Sequence, residues 1–168
     1  SVAKGTLSMI REVTCQTAID YEHLPDGKKT PIVDAYDGCQ IRCPYCFQWR
    51  DSTWNENILV KTNLPEILAK ELETWDHTQV LHVGSRSDPY MPLEEKYELT
   101  QRILHVLMAQ GISCFVSTKS NAPALHRDMG LFQKYGEGLT VCIGLTNVEQ
   151  LQNAGDQQHR LPNIQTIH

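Results

Sequence analysis

The sequence contains no apolar run that approaches the roughly 20 residues needed to cross a membrane. No signal peptide is visible either, in a chain that begins at Ser1. Its six cysteines are expected to stay reduced, because thiols without a secretory signal suit the reducing cytoplasm. We therefore predict a cytoplasmic protein that has no membrane partner.

Positive charge is also scarce. The 168 residues carry a formal net charge of −5, which excludes a global basic footprint for nucleic acid. A local basic patch stays open, because Lys28, Lys29, Arg42 and Arg50 flank a cysteine-containing loop. No low-complexity tract or internal repeat is present, and 40% hydrophobic with 21% charged residues is typical of one globular domain.

The most informative feature is a group of three closely spaced cysteines without a fourth cysteine beside them. Cys39, Cys43 and Cys46 follow the spacing C-x3-C-x2-C, with no further cysteine nearby. Three thiolates on one short loop can hold three irons of a cubane iron–sulfur cluster and leave the fourth iron open. An open coordination position distinguishes a catalytic metal site from a closed structural one. The spacing therefore favours a 4Fe-4S cluster with one open iron.

Two alternatives to this cluster stay open. Zinc sites usually pair cysteines in two C-x2-C units or combine them with histidines, and structural or redox cysteines need no metal. The other three cysteines are isolated in apolar, strand-like surroundings that are typical of buried thiols. They are Cys15, Cys114 and Cys142.

Apolar runs and helical periodicity alternate along the chain. Residues 1–30 are expected to form an irregular N-terminal lead-in, and residues 31–168 the domain itself. Strands are predicted at 31–36, 79–84, 112–118 and 139–145, and helices at 63–75, 92–111 and 123–135. The tail at 161–164 is predicted to start another helix. Strands that alternate with helices indicate βαβ units and a parallel sheet, hence an α/β fold.

Polar residues follow each predicted strand. In a right-handed parallel sheet the carboxyl ends of the strands lie at the same edge, where ligands bind. The cysteine loop, 85–90, 117–121 and 146–147 each follow one strand. This convergence favours the iron–sulfur cluster over zinc, because a catalytic site needs several contributing loops. His82, inside the second strand, is predicted to be a hydrogen-bonded core histidine.

These features resemble the radical S-adenosylmethionine superfamily. The resemblance rests on Cys39-x3-Cys43-x2-Cys46, with aromatic Tyr45 just before the last cysteine and a strand just before the loop. It implies that the cysteines hold a 4Fe-4S cluster, whose open iron is chelated by S-adenosylmethionine. An electron supplied by a donor such as flavodoxin or ferredoxin then releases a 5′-deoxyadenosyl radical, which abstracts hydrogen from a substrate.

Several stretches more narrowly resemble the spore photoproduct lyase-like branch, often labelled DNA repair photolyase. They fall within residues 31–147 and are Ala35–Cys39, Val83–Tyr90, Tyr97–Thr100 and Ser117–Lys119. The lyase proper has a hydrogen-donating cysteine just before its Ser-Asp segment, whereas residues 84–88 of this chain contain none. The resemblance therefore implies a lyase-like enzyme, whereas the missing cysteine argues against a thymine-dimer lyase. Nucleic acid, peptide and small molecule all stay open as substrates.

Residue by residue, the resemblance implies five cofactor contacts besides the three cysteine ligands. Tyr45 matches an aromatic that lies against the adenine. Ser87 and Asp88 match positions near the amino and ribose groups of S-adenosylmethionine. Lys119 matches a lysine that neutralises the cofactor carboxylate, and Thr146 matches a ribose or carboxylate contact. Each position also has an ordinary structural explanation, such as a turn at Asp88 or a solvated Lys119.

The resemblance also predicts the fold, a partial (βα) barrel with parallel strands. Because about four of its strands are predicted in this chain, the barrel is expected to be truncated after them, as in a fragment. The competing functional hypothesis is a non-catalytic metal-binding module, which holds zinc or a passive iron–sulfur cluster with the same cysteines.

Overall fold

The chain folds into two sheets and a layer of helices, in a computed structural model that describes residues 9–41, 57–144 and 164–167. The described strands are β1 (Met9–Val13), β2 (Asp20–His23), β3 (Lys29–Val33), β4 (Tyr36–Asp37), β5 (Asn57–Lys61), β6 (Leu81–Val83), β7 (Cys114–Thr118), β8 (Leu139–Gly144) and β9 (Ile164–Ile167). The described helices are α1 (Leu64–Leu72), α2 (Glu94–Tyr97), α3 (Leu99–Ala109), α4 (Pro123–Arg127) and α5 (Met129–Tyr135).

The larger sheet has six strands in the order β2-β3-β6-β7-β8-β9. Neighbouring strands from β3 to β9 are parallel, and β2 pairs antiparallel with β3 at one edge. The smaller sheet has the order β1-β5-β4, with β1 parallel and β4 antiparallel to β5. The predicted α/β fold with parallel strands is thus confirmed. No helix in the described ranges is long and apolar enough to cross a membrane.

Helix α1 begins where the sequence predicts it. Pro65 lies in its first turn, where the missing N–H leaves no hydrogen bond unmade, and its buried face consists of Leu64, Leu68 and Leu72. Asn63 precedes the helix but does not cap it. Its side chain instead accepts from Cys15 N at 2.8 Å and donates to Cys15 O at 2.9 Å, which fastens the segment after β1 to the start of α1.

Two of the predicted helices are divided. The first breaks at Glu98, whose φ of 52° separates α2 from α3, and the second breaks at Asp128 between α4 and α5. Their ends agree with the prediction, because Gly111 and Gly136 both have φ of 68° just beyond the last helical turns.

The core lies between the larger sheet and the helices. Alternate strand residues on this face are fully buried and pack in one cluster with leucines of α1 and α3. The strand members of this set are Val33, Val83, Val116 and Val141. Each buried leucine or valine contributes about 1.5–3 kcal/mol relative to an exposed one, so this face holds the strands in register.

Two expectations from the sequence are wrong. The lead-in at 1–30 is not irregular throughout, because β1 and β2 form within it by pairing with β5 and β3. At the tail, residues 161–163 of the predicted helix start lie outside the described residues, and Ile164–Ile167 forms the strand β9 instead; β9 pairs parallel with β8, so the described sheet contains five parallel strands instead of about four. The β-branched residues Ile164, Thr166 and Ile167 favour this extended backbone.

Candidate functional site

The cysteine loop follows β4, the short strand of the smaller sheet that comes after β3, through a sharp turn. Gly38 follows β4 with φ of 95°, a conformation that favours glycine, and Cys39 comes next, half-buried against the core. In the described ranges, no group of three or more His, Cys, Asp or Glu side chains is placed to hold a metal. Four predicted site residues lie outside those ranges: Cys43, Tyr45, Cys46 and Thr146.

Two hydrogen bonds tie the start of the cysteine loop to the segment after β6. Ser87 Oγ donates to the carbonyl oxygen of Tyr36 at 2.7 Å, and the backbone N–H of Leu93 donates to Gln40 Oε1 at 3.0 Å. The predicted site residue Ser87 therefore lies beside the chain that leads to Cys39. Its hydroxyl proton is used on the backbone, while its oxygen can still accept a hydrogen bond.

Asp88 joins the loop after β6 to the loop after β7. Its buried carboxylate accepts from Thr118 Oγ1 at 2.7 Å, Lys119 N at 2.8 Å and Tyr90 N at 2.9 Å. Burial raises the pKa of Asp88, while these hydrogen bonds act in the opposite direction. The carboxylate thus fixes two of the predicted ligand-binding loops relative to each other. A contact between Asp88 and a cofactor stays a prediction.

The loop after β6 is folded tightly back onto the end of its strand. Gly84 has φ of 83°, and a Cβ atom there would lie 2.3 Å from Cδ and 2.6 Å from Cγ of Pro89. Thr100 Oγ1 donates to the carbonyl of Pro89 at 2.7 Å, which anchors the other side of the loop to α3. Only glycine fits at position 84, so the tight path of this loop depends on that residue.

Lys119 follows β7 and reaches the end of β8. A Cβ atom at Gly144 would lie 2.8 Å from Cγ and 3.0 Å from Cε of Lys119, so the lysine stem runs closely over the Gly144 backbone. The predicted rim position of Lys119 is therefore a packed one, beside the strand that leads to the predicted contact Thr146. The interaction of its ammonium group with a cofactor carboxylate stays a prediction.

A further acidic residue at this edge was missed by the sequence reasoning. Asp34 directly follows β3, and its Oδ1 accepts from the backbone N–H groups of Arg86 at 3.1 Å and Ser87 at 3.3 Å. Within the described part of the chain, its buried Oδ2 has no hydrogen-bond partner. Burial raises the pKa of Asp34 to about 6. The rule that strand ends collect functional groups could have found it.

His82 does not have the satisfied environment that was predicted for it. Its ring lies edge-on to Phe115, with centroids 4.9 Å apart, and its buried Nε2 has no partner among the described residues. Burial lowers the pKa of His82. The expectation of a hydrogen-bonded core histidine is therefore wrong at this nitrogen.

A buried network of charged side chains lies beneath the loops. Glu94 and Asp128, both 0% exposed, are bridged by Arg127, whose guanidinium bonds Glu94 Oε1 at 3.3 Å and both oxygens of Asp128 at 2.8 and 3.0 Å. Tyr36 donates its hydroxyl to Glu94, and Tyr90 donates to Asp128 at 3.0 Å. Sequence periodicity gave no signal for this network, because its members come from separate elements.

Comparison with known proteins identifies relatives but no family. No protein-family model matches the chain, and no solved structure matches it. An uncharacterized protein of Mycobacterium tuberculosis is 28% identical over 149 residues, which cover 80% of this chain and 42% of that protein. An uncharacterized protein of Methanocaldococcus jannaschii is 28% identical over 144 residues, which cover 82% of this chain and 51% of that protein. The chain spans about half the length of the curated relatives it matches.

Proposed function

We propose that this chain is part of a radical S-adenosylmethionine enzyme with a 4Fe-4S cluster on Cys39, Cys43 and Cys46. The observation that carries the proposal is the position of Cys39 beyond the carboxyl end of β3, tied through Tyr36 to Ser87. A cluster with an open iron needs neighbouring loops that can hold the second cofactor. The loops after β6 and β7 meet at this edge through Asp88, which supports the proposal.

The donor set suits such a cluster. Thiolates are soft ligands that favour iron–sulfur chemistry, and three of them leave one iron of a cubane for a non-protein ligand. Cys39 is half-buried against the core, which supports a cluster partly shielded from water. When bound, the cluster and S-adenosylmethionine supply one-electron reductive cleavage for hydrogen abstraction.

The residues of the chain bind and orient S-adenosylmethionine in this proposal. Ser87 accepts a hydrogen bond from the cofactor amine, and Asp88 holds the loop that carries Ser87 while adding negative charge near the cationic sulfonium. Lys119 neutralises the cofactor carboxylate. Tyr45 lies against the adenine, and Thr146 contacts the ribose or carboxylate.

The proposal extends to the type of barrel, the electron donor and the cellular compartment. Five parallel strands in the described residues, with helices between the first four of them, support a partial (βα) barrel of the spore photoproduct lyase-like branch. The absence of a cysteine at residues 84–88 separates the chain from a thymine-dimer lyase. In this proposal a flavodoxin- or ferredoxin-like donor supplies the electron, and the six cysteines support a location in the reducing cytoplasm.

Anaerobic reconstitution with iron and sulfide tests the proposal. The wild-type protein is expected to turn brown, and the electron paramagnetic resonance spectrum of the reduced protein is expected to shift when S-adenosylmethionine is added. Cys43→Ala should abolish the cluster, whereas Cys114→Ala is the control that should keep it. Cys114 is buried in β7, and burial raises its pKa to about 12, so it is unsuited to act as a thiolate ligand.

Three other outcomes would contradict the proposal in different ways. An unshifted cluster spectrum would indicate a passive iron–sulfur cluster. A colourless protein that contains zinc would indicate a non-catalytic metal-binding module. A full complement of iron in Cys43→Ala would show that the ligand assignment is wrong.

A further inference from the structure

We propose that Tyr36 and Glu94 are positioning residues for the cysteine loop, with their buried hydrogen bond setting where Cys39 stands. This inference rests on the proposed function, because it concerns the loop that holds the cluster there. Tyr36 lies three residues before Cys39 and is only 1% exposed, so its ring is fixed in the core. Its hydroxyl donates to Glu94, and its carbonyl accepts from Ser87 at 2.7 Å.

Glu94 is itself held in one position by several donors. Its Oε2 accepts from Thr100 N at 3.1 Å and its Oε1 from Gln101 N at 3.1 Å, so the carboxylate caps the start of α3. The break at Glu98 makes this capping possible, because it separates α3 from α2 and leaves the first N–H groups of α3 within hydrogen-bonding distance of Glu94 in α2. A carboxylate so restrained can hold Tyr36 at a fixed point.

The other end of the network ties Glu94 to α4. Arg127 Nη1 donates to the carbonyl of Glu94 at 3.2 Å, and Nη2 donates to its carboxylate. Asp128 accepts hydrogen bonds from the same guanidinium and, at 2.7 Å, from Gln101 Nε2. Buried ion pairs of this kind add little net stability compared with an apolar core, so their effect is better sought in the geometry they impose.

The local charge balance makes Tyr36 a donor. Burial and the adjacent Glu94 carboxylate both raise the pKa of Tyr36, so its hydroxyl keeps its proton and has one direction in which to donate. Removal of that hydroxyl is expected to leave the ring packed and to free β4 from its side-chain hydrogen bond to α2. Among the described residues, Ser87 Oγ and Gln40 Oε1 also hold this part of the chain.

The test compares Tyr36→Phe with Tyr135→Phe. Both variants lose one hydroxyl from a largely buried ring, and Tyr135 donates to the carbonyl of Ile112, at the other end of the sheet from the cysteine loop. Circular dichroism checks that both fold. After anaerobic reconstitution, an iron chelator is expected to strip iron from Tyr36→Phe about tenfold faster than from the wild type, with Tyr135→Phe unchanged.

A second readout needs no cluster. In the apo protein, mass spectrometry measures the rate at which iodoacetamide alkylates Cys39, and this rate should rise in Tyr36→Phe but not in Tyr135→Phe. Glu94→Gln replaces one carboxylate oxygen by an N–H donor and should give the same result as Tyr36→Phe. It serves as the test variant if Tyr36→Phe does not fold. Wild-type rates in both readouts would overturn the positioning role while the proposed function stands. A wild-type protein that assembles no cluster would overturn the proposed function, and the alkylation rates alone would then decide the positioning role.

Discussion

Replacement of Asp34 by asparagine should make the protein more stable near neutral pH, and the gain should depend on pH. Asp34 has one buried carboxylate oxygen without a partner among the described residues, and its pKa is raised to about 6 from an ordinary value of 3.8. The amide oxygen of an asparagine at this position can accept the same backbone hydrogen bonds from Arg86 and Ser87. The uncharged amide also avoids the cost of a buried negative charge.

The magnitude and sign follow from proton linkage. The folded state binds the Asp34 proton more tightly than the unfolded state, so stability from this group is fully present below about pH 4 and is lost as the pH rises through about 6. Each pKa unit corresponds to about 1.4 kcal/mol, so a pKa that rises from 3.8 to about 6 on folding corresponds to about 3 kcal/mol of unfolding free energy. We expect Asp34→Asn to gain up to that amount relative to the wild type between pH 4 and pH 7.

Urea unfolding followed by circular dichroism at pH 4, 5, 6 and 7 measures this effect. The difference in unfolding free energy between Asp34→Asn and the wild type should grow with pH. Replacement of Asp26 by asparagine is a suitable control, because Asp26 is exposed and should give a small difference at every pH. Parallel curves for Asp34→Asn and the wild type would refute the reasoning, since they would mean that folding does not change the proton affinity of Asp34.

Two stability predictions concern backbone geometry and one concerns a side-chain latch. Gly84→Ala should cost about 3 kcal/mol or more in urea unfolding, because its positive φ is combined with a clash against Pro89. Gly111→Ala, with φ of 68° but open space around the new Cβ, should cost about 1–2 kcal/mol; equal losses would argue against the clash. Asn63→Ala should cost about 2 kcal/mol, because both side-chain hydrogen bonds to Cys15 are lost, and a change within experimental error would contradict that latch.

The sequence indicates the helical layer through its prolines and glycines. Pro65 marks the start of α1, and Gly111 and Gly136 mark the ends of α3 and α5, because their backbone limits act locally. The division at Glu98 has no such signal. It depends on the Glu94 carboxylate, which caps α3 while also receiving Tyr36 from a distant part of the chain. Interactions of that range are not visible in local periodicity.

Strands on the surface were harder to predict than strands in the core. The four predicted core strands appear as apolar runs because both faces of such a strand are at least partly covered. Strand β1, in contrast, is largely exposed and mixes apolar with charged residues. Its partner β5 lies more than 40 residues away in the sequence. At the site, strand order predicts that Ser87, Asp88 and Lys119 fall at one edge. It does not reveal that the Asp88 carboxylate is already occupied by three donors.

The capping of α3 by Glu94 has a consequence for local motion. The first amides of α3, at Thr100 and Gln101, are held by a residue of the preceding helix, and that residue also holds Tyr36 and Arg127. A fluctuation that opens the start of α3 must therefore also release the end of β4 and the Arg127 guanidinium. We expect these segments to open as one cooperative unit, so slow amide hydrogen exchange at the start of α3 would report on the integrity of the chain that leads to Cys39.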